Sequence, residues 1–274
     1  MEMHALRAAL RDEPGVALDT AALEMAAIER PGLDPAPYTE MLDRIASELD
    51  TRLGGQGRDG PRFIRIANQY LFEELGFRGN DTDYYDPANS CLDVVLDRRT
   101  GIPISLSVVY IEVARRLAKP VWGIGLPGHF VVQYSDLEYS TYIDPFHAGK
   151  LLTEEECAKL AREITGVDLT AEPSTLAPVG TRYILVRMLN NLRSAYFRVK
   201  QYGKAAAVMD LLVEAFPDNA DYYKTRGVAR LHLREFVAAK RDLEQYLKLS
   251  PNAQDRAEIT RQLEAIHRWL GRLN

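Results

Sequence analysis

Gly101-Ile-Pro-Ile-Ser105-Leu-Ser107, Pro127-Gly-His129-Phe-Val-Val132 and Tyr142-Ile-Asp144-Pro-Phe146 follow one another along this chain, and their order decides the fold. The first stretch leads into an amphipathic helix from Ser105 to Leu117, with Leu106, Val109, Tyr110, Val113 and Leu117 at helical spacing. Pro103 suits the start of such a helix, where the missing N–H costs no hydrogen bond. Short apolar runs bounded by Pro, Gly and Asp read as strands at Val121–Gly125, Phe130–Tyr134 and Ser140–Ile143. A helix start, a His opening one strand and an Asp closing the next reproduce the order of a nucleophile–His–Asp triad. The helix start holds Ser105, not Cys, and the question of catalysis turns on that position.

Outward from this block, residues 16–29 and 38–53 read as helices on either side of Arg30-Pro-Gly-Leu-Asp-Pro-Ala-Pro37. In the second of them Met41, Ile45 and Leu49 share one face. A Gly-rich loop, 54–61, precedes a third helix carrying Phe63, Ala67, Tyr70, Leu71 and Leu75 and ending at Gly76. The polar stretch Asn80 to Ser90 reads as an ordered loop over the core. A helical lead-in with a small antiparallel sheet packed on a helix gives an α+β domain.

Beyond Thr181 the pattern turns to continuous helix. Ala-Phe-Pro217-Asp-Asn recurs as Leu-Ser-Pro251-Asn-Ala, with prolines 251 − 217 = 34 residues apart, and Ala205 and Ala239 share that offset. A 34-residue period with small residues where helices meet is the signature of tetratricopeptide repeats. The expected division is a lead-in over residues 1–60, an α+β domain over 61–175, and an all-α region over 181–274. The last comprises two repeats, 186–219 and 220–253, and a capping helix, 254–270.

These blocks resemble the transglutaminase-like superfamily, and specifically its bacterial SirB-type branch with C-terminal tetratricopeptide repeats. The resemblance also rests on Asn68-Gln-Tyr-Leu-Phe-Glu-Glu-Leu-Gly-Phe-Arg-Gly-Asn80, Asp83-Tyr-Tyr-Asp-Pro-Ala-Asn-Ser90, Arg98-Arg-Thr-Gly101 and Gly125-Leu-Pro-Gly-His-Phe130. It runs from about Gly15 to the end of the chain and implies a papain-like core. In catalytic members a helix-start Cys attacks a carbonyl, its thiolate favoured by the helix dipole and by a His that an Asp orients. The resemblance places His129 and Asp144 at the His and Asp positions, and Ser105, then Ser107, at the nucleophile position.

Ser105 has three readings: the helix N-cap (its oxygen accepting a backbone N–H), a serine nucleophile, or one wall of a binding pocket. A serine hydroxyl is far less acidic than a thiol and needs a strong base and an oxyanion hole. Cys91, in an apolar stretch, reads as a buried structural thiol, and the acidic Glu154-Glu-Glu-Cys157 run raises the pKa of Cys157. The Asp-x-x-His spacing of Asp144 and His147, with His129, is common by chance, so no metal and no cofactor is expected. In the repeats, Asn190, Asn191, Lys224 and Arg230 are candidates to hold a peptide carboxylate, against the plainer reading of a solvated or docking face.

The net charge of −5 conceals an asymmetry: residues 181–274 carry 17 Lys/Arg and 10 Asp/Glu (+7), leaving 17 and 29 (−12) for residues 1–180. That split suits either a basic module for an acidic partner or, as favoured here, halves that attract each other, joined by the connection Ala171–Gly180 with its two prolines. No apolar stretch approaches the roughly 20 residues of a membrane span, no secretory leader is visible, and two cysteines suggest a reducing cytoplasm. No phosphate-binding Gly loop, dinucleotide fingerprint or nucleic-acid motif occurs. The expectation is a regulatory or interaction protein that binds a peptide or protein partner. The alternatives are an amide-bond hydrolase or acyltransferase using Ser105, His129 and Asp144, and a scaffold that uses only its repeats.

Overall fold

The computed structural model describes residues 3–54, 59–168 and 176–271. The chain divides into two compact units, Met1–Met188 and Leu189–Asn274.

The first unit opens with α1 (His4–Leu10), α2 (Leu18–Ala26) and α3 (Ala36–Leu53), the last ending on Gly54 in the left-handed region. α4 (Gly60–Asn68) is capped by Asp59 and runs into a π-helical stretch, Gln69–Glu74. One regular helix to Leu75 was the expectation. Instead the Leu75 N–H reaches back five residues to Tyr70, the widened turn of a π-bulge. β1 (Arg78–Gly79) pairs in parallel with β2 (Thr100–Gly101); between them lie a 3₁₀ turn, Pro87–Ser90, and α5 (Leu92–Arg98). The 80–90 loop is tied internally, with Asn80 Nδ2 donating to Asn89 Oδ1 and Asn89 Nδ2 to the Asp83 carbonyl.

α6 (Pro103–Arg116) starts two residues before Ser105, with Pro103 at its first position and Ile102 as N-cap. β3 (Val121–Leu126), β4 (His129–Ser135), β5 (Ser140–Asp144), β6 (Lys150–Leu152) and β7 (Pro178–Val179) form a sheet in the order β6-β5-β4-β3-β7, antiparallel throughout. A 3₁₀ turn, Pro145–His147, follows β5, and α7 (Glu154–Thr165) follows β6 under a Thr153–Glu156 capping box. Ile124, Leu126 and Val131 project to one face, where Cys157, Ala158 and Ala161 of α7 close over them. Gly123 lies on the other face, where an added Cβ would strike Phe130. α6 packs along β3 and β4 yet contributes nothing to the cluster beneath α7. This is the α+β class read from the sequence.

α8 (Thr181–Arg198) begins in the first unit, and its residues from Leu189 belong to the second. The second unit continues as α9 (Tyr202–Ala215), α10 (Ala220–His232), α11 (Phe236–Leu249) and α12 (Arg256–Gly271). Ala205 and Ala239, equivalent across the period, are both fully buried. Gly227 lets α10 approach α11: a Cβ there would sit 3.0 Å from Leu243. Residues 169–175, which include half of the proline-bearing connection, lie outside the described residues, as do 55–58 of the Gly-rich loop.

Candidate functional site

Pairing of β4 with β5 in the register Val132↔Ile143 brings the start of one strand beside the end of the other. His129 opens β4 after a tight turn at Gly128, whose φ of +70° is the left-handed conformation that glycine adopts freely. Arg187 locks this turn by donating to the carbonyls of Leu126 (2.6 Å) and His129 (2.5 Å). Asp144 closes β5 and caps the following 3₁₀ turn, its Oδ1 accepting the N–H of Phe146 at 3.0 Å. His129 Nε2 then lies 2.9 Å from Asp144 Oδ2, both side chains buried. Among the described residues His129 Nδ1 makes no hydrogen bond. The dyad is therefore built by strand pairing and a two-residue turn.

His147, read from the sequence only as a chance spacing, brings its Nδ1 to 2.8 Å from the same Oδ2. Burial alone would raise the Asp144 carboxyl, but hydrogen bonds and charge from His129 and His147 hold it below the usual carboxylate range. Aromatic rings surround the group. Phe146 meets His129 edge-on at 6.1 Å, Tyr84 meets Phe146 at 6.0 Å, and Tyr84 and Tyr85 are both exposed. Gly79 admits Phe146, whose ring carbon lies 2.7 Å from where a Cβ would be. Asp144 and His147 also line a cleft of about 320 Å³ with Lys150, Leu152, Glu156 and Lys159. Sequence reasoning assigned no role to these partners; the signal available for them was the adjacency of Tyr84 to Tyr85 and of Phe146 to His147.

Ser105 makes its hydrogen bonds outside this group. It is fully buried, its Oγ donating to the Asn89 carbonyl at 2.6 Å and accepting the Ile102 N–H at 3.1 Å. Gly101 makes room, since a Cβ there would lie 2.6 Å from that Oγ. The side chain at the third helical position thus satisfies the N-cap N–H, the returning half of a capping box, and ties α6 to the 80–90 loop. No hydrogen bond joins it to His129 among the described residues. Ser107 is likewise fully buried, and among the described residues its Oγ has no hydrogen-bond partner.

Both thiols are buried. Burial, reinforced by the charges of Asp144, Glu156 and Glu154, pushes Cys157 up to about 12. Neither cysteine is therefore expected to react with a disulfide reagent such as DTNB in the folded chain at neutral pH, and both are expected to react after unfolding in guanidinium. Stoichiometric labelling of Cys91 in the folded state would instead reveal an accessible thiol.

In the repeats, two of the four candidate carboxylate-binding side chains are engaged within their own unit. Lys224 Nζ lies 2.5 Å from Asp255, and Arg230 pairs with Asp210 at 2.9 Å and Asp242 at 3.0 Å. Asn190 and Asn191 are half-buried on α8.

This arrangement, a helix packed on an antiparallel sheet with a His–Asp pair at adjacent strand ends, has a known counterpart: the chain belongs to the transglutaminase-like superfamily, whose family model matches residues 36–190. A tetratricopeptide-repeat model matches residues 192–264. A UPF0162 protein of Xylella fastidiosa is 37% identical over 88% of this chain and 86% of that one. F-box only protein 21 of Mus musculus is 34% identical over 62% of this chain, which spans 28% of the mouse protein. The first tetratricopeptide domain of Spaghetti (RPAP3), solved with an HSP90 peptide, shares 26% identity over 42% of this chain and 76% of that one. Its TM-score of 0.29 is too low to place a binding groove here. Among the described residues no helix is long and apolar enough to cross a membrane.

Proposed function

We propose that this chain is a non-catalytic interaction protein, in which the transglutaminase-like cleft beside His129 and Asp144 receives a peptide segment of a protein partner and the tetratricopeptide repeats add a second contact surface. The observation that carries the reading is the commitment of the Ser105 hydroxyl. Its one proton goes to the Asn89 carbonyl and a lone pair takes the Ile102 N–H, so nothing is left for a base to activate. Both thiols are buried, and among the described residues no hydrogen bond joins His129 to Ser105 or Ser107. The exposed rings of Tyr84 and Tyr85, beside Phe146, suit apolar or proline-bearing peptide side chains, as aromatic residues do at protein interfaces.

The test has two arms. Incubation with a fluorophosphonate probe is expected to leave Ser105 and Ser107 unmodified by mass spectrometry. An adduct on either that disappears in His129→Gln would establish the serine hydrolase instead. On an immobilised peptide library, a Tyr84→Ala/Phe146→Ala double variant is expected to lose about tenfold or more in retention, the scale of removing aromatic hot spots. Equal retention by the double variant and the parent would remove the cleft from the binding surface.

A further inference from the structure

We propose that His129, Asp144 and His147 form a binding site for a divalent first-row transition-metal ion. Among the described residues, these are the side chains of His, Cys, Asp and Glu in which three ligand atoms lie within 4.8 Å of one another. Two imidazole nitrogens, His129 Nε2 and His147 Nδ1, aim at the same carboxylate oxygen, Asp144 Oδ2, at 2.9 and 2.8 Å. Ligands bound about 2.1 Å from an ion stand about 3.0 Å apart across an octahedral edge and about 3.4 Å across a tetrahedral one. The two nitrogen–oxygen edges thus fit an octahedral ion with an expansion of about 0.2 Å or less, and the two ring nitrogens lie within 4.8 Å of each other. The ion would replace the hydrogens that now lie between the rings and the carboxylate.

Three further features favour an ion at this point. The ligands sit on well-fixed backbone: His129 is pinned by the Arg187 bridge, and Asp144 Oδ1 is anchored by the turn that carries His147. Two histidines with one carboxylate make a nitrogen-rich donor set, which favours iron, cobalt, nickel or zinc over magnesium or calcium. The group also opens onto the 320 Å³ cleft, so coordination positions on that side stay free for water or an oxygen-bearing ligand. The lining charges do not repel a cation on balance, with Asp144, Glu156 and Glu163 against Lys150 and Lys159.

Cobalt(II) is the probe, because its visible d–d bands report nitrogen and oxygen coordination directly. The untagged full chain, stripped with EDTA and dialysed, is expected to take up one Co²⁺ per chain with micromolar or tighter affinity. His147→Ala should weaken uptake at least about tenfold, since even outer-shell changes cost 10–100-fold in metal affinity. His147 is 52% exposed, so the substitution leaves the core intact. His129→Gln gives a second readout, with circular dichroism confirming the fold of both variants. His267→Ala, on the exposed face of α12, should bind like the parent. Unchanged affinity in His147→Ala, or no Co²⁺ bands in the parent, would overturn the site and leave a purely hydrogen-bonded His–Asp–His group. The proposal stands apart from the peptide-binding reading: retention measured in EDTA and the Co²⁺ titration can each succeed or fail alone.

Discussion

Arg116→Ala is expected to lower the unfolding free energy by about 3 kcal/mol near neutral pH, measured by urea denaturation. Arg116 is 11% exposed and bridges three carboxylates on α2, α3 and α6: Asp19 at 2.5 Å, Asp43 at 2.6 Å and Glu112 at 2.7 Å. Asp19 and Glu112 are buried, and among the described residues Glu112 Oε1 already lacks a hydrogen-bond partner. Losing one partner of a buried ion pair typically costs about 3–5 kcal/mol, and the lower end applies because Arg115 still holds Glu112 at 2.8 Å.

The pH dependence of that loss has a definite sign. Burial would raise Asp19, but the hydrogen bond and charge of Arg116 hold it below its ordinary value. That depressed carboxyl contributes stability above its unfolded pKa, which is lost as pH falls through the folded value. Burial keeps Glu112 raised despite Arg115 and Arg116, so its charged form carries a penalty that grows as pH rises. Without Arg116 both carboxyls move further up. The deficit of the variant should therefore be largest near and above neutral pH and shrink as pH falls through the folded values of these carboxyls, where both become protonated. A deficit that is constant from acid to alkaline pH would show that lost packing, not charge, is responsible.

Arg226→Ala is expected to cost roughly 2–3 kcal/mol, read as a lowered thermal midpoint of helix unfolding. Arg226 binds Asp242 through two nitrogens, at 2.9 and 2.7 Å, and Asp210 through a third at 2.9 Å. Asp242 is buried in α11 and would keep only Arg230. The cost stays below that of a pair broken outright because Arg230 remains. A change under about 0.5 kcal/mol, the range of ordinary surface substitutions, would mean that these cations are free for a ligand after all. As it stands, the network pairs Arg230 with Asp210 and Asp242.

Much of this molecule is legible in its residue order. Helical spacing in 105–117 locates α6 to within two residues, and the apolar runs at 121–125, 130–134 and 140–143 locate β3, β4 and β5. The three-residue β6 and two-residue β7 carry no periodic signal and were missed, because so short a strand is defined by its neighbour. The π-helical turn at Gln69–Glu74 escaped for a similar reason: its apolar spacing does not differ from that of a regular helix over so few residues.

The candidate site divides along the same line. Its His and Asp were legible because a strand start and a strand end are local properties, and hairpin pairing then joins them. Which group each side chain meets was not. Ser105 bonds to Asn89, 16 residues away, His147 turns back onto Asp144, and Arg230 reaches Asp210, 20 residues away. By itself the sequence determined the elements, the 34-residue period and the residue types available at the helix start and strand ends. The tertiary structure alone decided which of those groups are already spent on one another. The reason is physical: periodicity is a property of backbone geometry, repeated every few residues, whereas a hydrogen-bond partner is set by packing between distant segments.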